Sequence, residues 1–210
     1  SKDMTRYLLS HDMVADAGKA WRYTTGDTTL LTSVLKDVYP EDQDNYPWTL
    51  LFDELQMENV TWERDASGTF VGGSHLFVSA RDLAKVGKLY LNDGVYDGKR
   101  LLPEGYVEYS TGLNSVYLEN LKNDPDSMSK KAQSPGRQWW LNRDFYNPTL
   151  PLYKNAPKDT FMAVGHWGQL LIVIPSENLI IVRFGEDRKA RIDREKMFGL
   201  IFDFLNEEGL

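Results

Sequence analysis

Three apolar runs in the last quarter of the chain constrain its fold more than any other feature of the sequence. Residues Phe161–Val164, Leu170–Ile174 and Leu179–Phe184 are almost continuously apolar, and the second and third runs are rich in β-branched side chains. Runs of this length and composition predict strands, and the lack of alternating polar positions predicts that both faces are covered. Pro175-Ser176-Glu177-Asn178 predicts a turn between the second and third strands.

An amphipathic helix is predicted after the third strand. Apolar residues there recur at the three- and four-residue spacing that places them on one helical face. Residues 161–206 are therefore expected to form sheet strands and a C-terminal helix. The apolar positions of this helix are Ile192, Met197, Phe198, Ile201, Phe202 and Leu205.

Helical patterns also occur in the first half of the chain. Apolar residues between 30 and 38 share one face, and Tyr39-Pro40 predicts the end of that helix. A second helix is predicted over residues 46–55. Ser79-Ala80-Arg81-Asp82 is typical of a capping box, in which the Asp82 carboxylate reaches back to the Ser79 N–H.

The segment 113–137 is polar and contains two prolines, which predicts a long mobile loop or insertion. The rest of the chain contains no Pro-, Gly- or Ser-rich stretch long enough to separate two domains. A single domain over residues 1–210 is therefore expected.

Composition excludes several classes of function. The chain has no cysteine, which removes a thiol nucleophile and thiolate metal sites, and it has no H-E-x-x-H motif or P-loop. We therefore predict no metal and no cofactor. The net charge of -7 argues against nucleic acid as a partner, and no apolar run is long enough to span a membrane.

Three histidines are candidates for catalysis. His11 lies in a polar turn and is interpreted as solvated or capping, and His75 is interpreted as structural because Leu76 breaks the G-x-S-x-G pattern. His166 lies between Gly165 and Gly168, where the missing side chains allow a ligand or backbone to approach closely. Taken alone, His166 fits a hydrogen-bonded core histidine slightly better than a functional one.

Two segments match the Ser-x-x-Lys pattern of a lysine-activated serine nucleophile, namely Ser33–Lys36 and Ser127–Lys130. In the first, Val34 and Leu35 are expected to face the core, which leaves Ser33 and Lys36 towards solvent. The second lies in the polar segment. Both are interpreted as chance matches.

Three segments of the chain are informative when they are taken together. In chain order they are Ala17–Asp27, Asp65–Gly94, and Gly165-His166-Trp167-Gly168-Gln169 with the following strand. Together they resemble the serine β-lactamase-like hydrolases, the family of class C β-lactamases, penicillin-binding DD-peptidases and related esterases and amide hydrolases. The third segment is similar to the esterase and amide-hydrolase branch, in which His-x-Gly replaces the Lys-Thr-Gly of true β-lactamases. The resemblance covers residues 3–206.

This resemblance implies an α/β chain of the α+β type, with a β-lactamase-like antiparallel sheet flanked by helices. In the family, a stretch of chain containing the Ser-x-x-Lys nucleophile precedes the tyrosine motif by a long distance, and only 22 residues precede Tyr23 here. The chain is therefore expected to be the C-terminal portion of one such domain, with the N-terminal part of the fold absent.

The resemblance also implies roles for individual residues. Tyr23 corresponds to the tyrosine that moves a proton between nucleophile and leaving group, and His166 to its hydrogen-bond partner or a weak cation. Gly168 leaves room for the substrate, the N–H of Gln169 is an oxyanion donor, and Thr25 is a substrate contact. A phenol with an ordinary pKa near 10 is a weak base, so such a tyrosine needs a nearby cation.

The implied function is hydrolysis of a small ester or amide through an acyl-enzyme, with this chain inactive alone because it lacks the nucleophile. A β-lactamase or DD-peptidase proper, or a non-catalytic binding module of the same fold, remain alternatives. Expected partners are the missing N-terminal part of the fold, or a second copy that pairs with an exposed sheet edge. Family habit favours a periplasmic or secreted protein, although some relatives are cytoplasmic.

Overall fold

The polypeptide divides between Val86 and Gly87 into two units. The structure is a computed structural model that describes residues 2–123, 133–188 and 192–209. The division falls inside helix α3, which runs from Ala80 to Leu91.

The first unit is built from short elements around an aromatic core. Strands β1 and β2 pair antiparallel, with Val60 opposite Val78. Tyr46, Phe52 and Phe70 are buried, and the helix predicted over 46–55 is reduced to a π-helical turn. In chain order the elements are α1 (Met4–Leu9), α2 (Thr25–Val38), the π-helical turn Trp48–Phe52, β1 (Val60–Trp62) and β2 (Leu76–Val78).

Helix α2 turns a face to the interior that the sequence did not predict. Its buried residues are Thr29 and Thr32, whereas Val34 and Leu35 are 57% and 41% exposed. The Thr32 hydroxyl donates to the carbonyl of Phe70 at 2.6 Å, which satisfies its polar group inside the unit. The expectation that Val34 and Leu35 face the core was therefore wrong, because periodicity identifies an apolar face without showing what covers it.

The second unit contains a five-stranded antiparallel sheet in the order β5-β6-β7-β8-β9. The three predicted strands are confirmed, although the last ends at Arg183 rather than Phe184. After α3 the elements are β3 (Val95–Tyr96), β4 (Lys99–Arg100), α4 (Tyr106–Thr111), α5 (Ser115–Asn123), β5 (Gln133–Pro135), β6 (Trp140–Asp144), β7 (Phe161–Val164), β8 (Leu170–Ile174), β9 (Leu179–Arg183) and α6 (Arg194–Glu208).

Strand β8 lies between β7 and β9, and all five of its residues are buried. On one face, Ile172 and neighbouring side chains pack with Phe198 of α6. On the other, Gly87 of α3 lies so close to the sheet that an added Cβ would be 2.8 Å from Ile180 and 3.1 Å from Leu171. The predicted sheet covered on both faces and flanked by helices is confirmed.

Part of the segment predicted to be a mobile loop is a helix. Within 113–137, α5 buries Tyr117 completely, and the Tyr117 ring packs 5.3 Å from that of Phe145. The prediction was wrong over this helix because Tyr117 and Leu121, four residues apart, form a short apolar stripe among polar residues. Residues 124–132 lie outside the described part of the chain, as does the second Ser-x-x-Lys match.

The capping sequence at the start of α3 is used differently from the prediction. Ser79 caps the helix, since its hydroxyl accepts from the Asp82 N–H at 3.1 Å. The Asp82 carboxylate, however, accepts from the Ser79 hydroxyl at 2.8 Å and the Asn59 N–H at 2.9 Å, while the Ser79 N–H donates to the Asn59 carbonyl. Asp82 thus joins the helix start to the chain before β1.

Candidate active site

Tyr23 and Thr25 lie together in the first unit, at the start of α2. The hydroxyl of Thr24 accepts from the Asp27 N–H at 3.0 Å and begins the helix, so Thr25 is its first residue. Tyr23 is 54% exposed. A phenol in this position is open to a substrate or to a further polypeptide segment.

The glycine pair Gly72-Gly73 lies in a turn that packs against the start of α2. An added Cβ at Gly73 would lie 2.9 Å from the Thr25 carbonyl oxygen, so only glycine fits without displacing the helix. Two residues later His75 has a left-handed backbone, with φ of 62°, and its Nδ1 is 2.6 Å from the Ser74 hydroxyl. His75 is exposed, and the turn holds it by hydrogen bonds rather than by burial.

In the Ser33–Lys36 match, the lysine makes a hydrogen bond to the backbone of another segment. Lys36 donates to the carbonyl of Ser67 at 2.6 Å, so its ammonium is bound to backbone. Both residues line an open groove of about 590 Å³ between α1, α2 and the turn at residues 67–69. Tyr23 and Thr25 are not among the residues that line this groove.

His166, Gly168 and Gln169 lie together in the second unit, in the turn Gly165–Gln169 that joins β7 to β8. The turn closes with a hydrogen bond from the Gly165 N–H to the Gln169 carbonyl at 2.8 Å. Trp167 and Gly168 are both left-handed, with φ of 56° and 87°. Two successive left-handed residues, one of them a tryptophan, require strong support from the surroundings.

Aromatic and cationic groups surround the exposed side of this turn. The His166 ring lies 4.6 Å from the Trp167 ring, measured between centroids. The Arg188 guanidinium lies 4.5 Å from the Trp167 ring centroid, and Trp167 is 43% exposed. His166 is exposed, so it is not the buried core histidine that its sequence context slightly favoured.

The side chain of Gln169 is turned away from solvent and binds the loop after β9. Its Nε2 donates to the Gly185 carbonyl at 2.5 Å, and its Oε1 accepts from the Gly185 N–H at 3.1 Å. Both ends of the amide are thereby engaged. The group that Gln169 offers for recognition in the predicted role is its backbone N–H.

Arg183 and Asp187 complete the support of the turn, and sequence reasoning missed both. Arg183 donates to the Gly168 carbonyl at 2.7 Å and forms a two-bond ion pair with Asp187 at 2.8 and 3.0 Å. The hydrogen bonds from Arg183 lower the pKa of Asp187, against a smaller opposing effect of burial. The spacing of four residues between them was the one available signal, and it lies outside any helix, where it predicts nothing.

Within residues 2–123, 133–188 and 192–209, no three His, Asp or Glu side chains are grouped closely enough to hold a metal ion. No helix among these residues is long and apolar enough to cross a membrane.

An antiparallel sheet flanked by helices is the architecture of the β-lactamase-like fold. The sequence profile of the Beta-lactamase family matches residues 1–203, and the chain belongs to this family.

Known structures share this fold. A candidate 6-aminohexanoate-dimer hydrolase from Bacillus anthracis superposes with a TM-score of 0.74 at 21% identity, covering 99% of this chain. A β-lactamase from Mycobacterium bovis superposes with a TM-score of 0.63 at 14% identity, covering 97% of this chain and 73% of that one. At these identities the structures show the fold alone.

The chain is also similar in sequence to the 6-aminohexanoate-dimer hydrolase of Paenarthrobacter ureafaciens. It is 26% identical over 167 residues, which are 78% of this chain and 38% of that protein. The chain likewise spans 50% of the Bacillus anthracis protein. It therefore spans half or less of the length of these hydrolases.

Proposed function

We propose that this chain forms part of a serine hydrolase that cleaves an ester or amide through an acyl-enzyme. The observation that carries the proposal is the turn Gly165–Gln169, which has two left-handed residues and a Gln169 side chain bound to Gly185. We assign the backbone N–H of Gln169 as the oxyanion donor. A fixed backbone donor of this kind stabilises the oxyanion of a tetrahedral intermediate. Family membership supports the same reaction class.

Tyr23 is assigned the proton transfer. As the phenolate, its oxygen takes the proton from the attacking serine hydroxyl as the new C–O bond forms, and it gives this proton to the leaving alcohol or amine as the acyl carbon–leaving group bond breaks. Water then attacks the acyl carbon and gives a proton to the phenolate, which passes it to the serine oxygen as the acyl–serine bond breaks. Its exposure at the start of α2 supports this role, and the neighbouring Thr25 is assigned a contact to the substrate.

His166 is assigned as a hydrogen-bond partner or weak cation for the reacting groups, and Gly168 as the residue that leaves space for the substrate. The position of His166 beside Trp167 restricts its ring by stacking. A Cβ at position 168 would overlap the side chains of Asp187 and Arg183, so glycine serves both space and conformation.

The nucleophile is assigned to polypeptide outside this chain. The Lys36 ammonium is bound to the Ser67 carbonyl, which supports the interpretation of the Ser33–Lys36 match as a chance match. The chain alone is therefore proposed to be inactive, because loss of the nucleophile removes the covalent step that the other groups assist.

The preferred substrate class is an open-chain ester or amide rather than a β-lactam. The Paenarthrobacter ureafaciens relative is named for a 6-aminohexanoate dimer, which is an amide of two amino acids. The His166-Trp167-Gly168 sequence also lacks the lysine of the Lys-Thr-Gly box.

Two assays test these assignments. A fluorophosphonate probe is expected to leave the 210-residue chain unlabelled, and covalent labelling of any serine in it would overturn the proposed inactivity. A longer protein that contains this chain and the nucleophile is expected to hydrolyse a short-chain nitrophenyl ester. Rapid turnover of a chromogenic cephalosporin without ester hydrolysis would instead support a β-lactamase, and inactivity on both would support a binding module.

The outer edge of β9 is proposed to pair with a second copy of the isolated chain. Across the described residues β9 pairs with β8 alone, and its one charge, Arg183, is already bound to Asp187. Antiparallel pairing of two copies about Ile181 would place aliphatic residues opposite one another. Light scattering should show a concentration-dependent dimer with slowed exchange of the outward β9 amides, and a strict monomer at millimolar concentration would exclude it.

A further inference from the structure

We propose that Arg183 and Asp187 are positioning residues that aim the Gln169 N–H. They do so by holding the carbonyl of Gly168, which belongs to the same peptide group. This inference rests on the proposed function of Gln169 as an oxyanion donor. It says which contacts fix the direction of the Gln169 N–H.

The argument begins with the planarity of the peptide bond. The Gly168 carbonyl and the Gln169 N–H belong to one planar trans unit, and the chain contains no cis peptide bonds among its described residues. In such a unit the C=O and N–H point in opposite directions. A group that fixes the Gly168 oxygen therefore fixes the direction of the Gln169 hydrogen.

Arg183 is that group, and its own orientation is set by Asp187. One guanidinium nitrogen of Arg183 donates both to the Gly168 carbonyl at 2.7 Å and to Asp187 Oδ2 at 3.0 Å. The second nitrogen binds Asp187 Oδ1 at 2.8 Å, so the planar guanidinium cannot rotate without breaking the pair. Their side chains are only 25% and 14% exposed, which limits competition from water.

The backbone of Asp187 provides a second attachment. Its N–H donates to the Trp167 carbonyl at 2.9 Å, and its carboxylate also accepts from the Ile192 N–H at 3.3 Å. The carbonyls of both left-handed residues, Trp167 and Gly168, are thus held by this ion pair and its backbone. This explains how a tryptophan is maintained at a φ of 56°.

Charge adds to the effect of position. A cation bound to the carbonyl oxygen polarises the peptide group and makes its N–H a stronger donor. The same contact that aims the Gln169 N–H thereby strengthens it towards a developing oxyanion.

The test uses the 210-residue chain and nuclear magnetic resonance, with three variants. Asp187→Asn removes the charge at nearly constant shape, and Arg183→Lys keeps a cation but removes the planar fork. Glu177→Gln is the control, because it makes the same change from carboxylate to amide at an exposed residue in the turn between β8 and β9, at the opposite end of β8 from Gln169.

Both test variants are expected to shift the Gly168 carbonyl ¹³C and Gln169 amide ¹⁵N resonances and the His166 ring signals. The control is expected to leave these resonances within the experimental error. A purely structural role would lower the unfolding temperature without a selective change at Gly168 and Gln169. Unchanged Gly168 and Gln169 resonances in Asp187→Asn would overturn the proposal even if Arg183→Lys did not fold.

The result is independent of catalysis. If the resonances shift but a longer form of the protein hydrolyses no ester, the positioning role is supported and the proposed function is wrong. Ester hydrolysis by a longer form, combined with unchanged resonances in the Asp187 variant, would refute the positioning role alone.

Discussion

Gly168 and Asp187 are packed so closely that a side chain at position 168 would overlap the Asp187 carboxylate. Gly168 also has a left-handed backbone, with φ of 87°. The turn before β8 therefore depends on glycine for two separate reasons, conformation and space.

The first prediction separates these two reasons by comparing Gly168→Ala with Gly98→Ala. Gly98 has φ of 82° but open space around its Cβ position, so alanine there adds only backbone strain. We expect Gly98→Ala to lower the free energy of unfolding by about 1 kcal/mol, and Gly168→Ala by at least about twice that. Urea denaturation of both variants measures these free energies. Equal losses would show that the Asp187 side chain moves away and relieves the overlap with a Cβ at position 168 without further cost.

The sequence predicted three strands of the second unit, β7, β8 and β9, but it did not predict the side-chain contacts that hold the turn before β8. The strands from Phe161 to Arg183 were predictable because uninterrupted aliphatic runs between turn residues have few alternative structures. The contacts of Arg183 were not predictable from the sequence. Arg183 ends β9 and binds the carbonyl of Gly168, which lies 15 residues earlier in the chain, and no local pattern predicts a contact over that distance.

Helix α2 shows a different limit of sequence reasoning. Its end before Tyr39-Pro40 was predicted correctly, yet its buried residues are threonines, and the Thr32 hydroxyl donates to the Phe70 carbonyl. Hydrophobic periodicity predicts that the most apolar face of a helix is buried. This prediction fails where a polar face is buried instead and its polar groups form hydrogen bonds. Tyr23 and His166 became candidates through family resemblance, since neither lies in a pattern that predicts chemistry alone.

The second prediction follows from this reversed face of α2. Thr32→Val keeps the shape but leaves the Phe70 carbonyl without its donor, and it should lower the free energy of unfolding by about 1–2 kcal/mol. Val34→Ser in the same helix should change it by less than about 0.5 kcal/mol, because Val34 is exposed. Chemical denaturation tests both, and a larger loss from Val34→Ser would show that another surface covers it.

The third prediction concerns Asn142, which is completely buried in β6. Its Nδ2 lies within 3.1 Å of the carbonyls of Tyr153, Ala156 and Pro157, and its Oδ1 accepts from the Tyr153 N–H at 2.7 Å. Asn142→Leu would leave these backbone groups unpaired. We expect a loss of about 3 kcal/mol or more in the free energy of unfolding.

Asn206 provides the matched control for this substitution, because it is exposed near the end of α6. Asn206→Leu should change the unfolding free energy by less than about 0.5 kcal/mol. Similar losses for the two variants, measured by thermal and urea denaturation, would contradict the structural role of Asn142.

The fourth prediction is a pH dependence set by Asp82. The ion pair with Lys85 and hydrogen bonds from Ser79 and Asn59 lower the pKa of this carboxyl well below its ordinary value of 3.8, although burial opposes them. A carboxyl with a lowered pKa in the folded state contributes stability above pH 3.8 and loses it as the pH falls through the folded value. Acid should therefore destabilise the wild-type protein more than the Asp82→Asn variant.

The measurement is the free energy of unfolding from pH 7 down to pH 2, with Asp53→Asn as the control because Asp53 is exposed. At pH 7, Asp82→Asn should be less stable than the wild type by about 2 kcal/mol, and the gap should narrow in acid. A gap that stays constant over this range would show that the charge of Asp82 contributes nothing.

The fifth prediction tests Tyr23 in a longer protein that hydrolyses the nitrophenyl ester. Tyr23→Phe removes the hydroxyl that is proposed to move the proton, and kcat is expected to fall by about 10²–10⁴-fold with little change in KM. Tyr146→Phe is the matched control, since Tyr146 is 53% exposed compared with 54% for Tyr23. If both variants keep full activity, the proton is carried by another group, and the role assigned to Tyr23 is wrong.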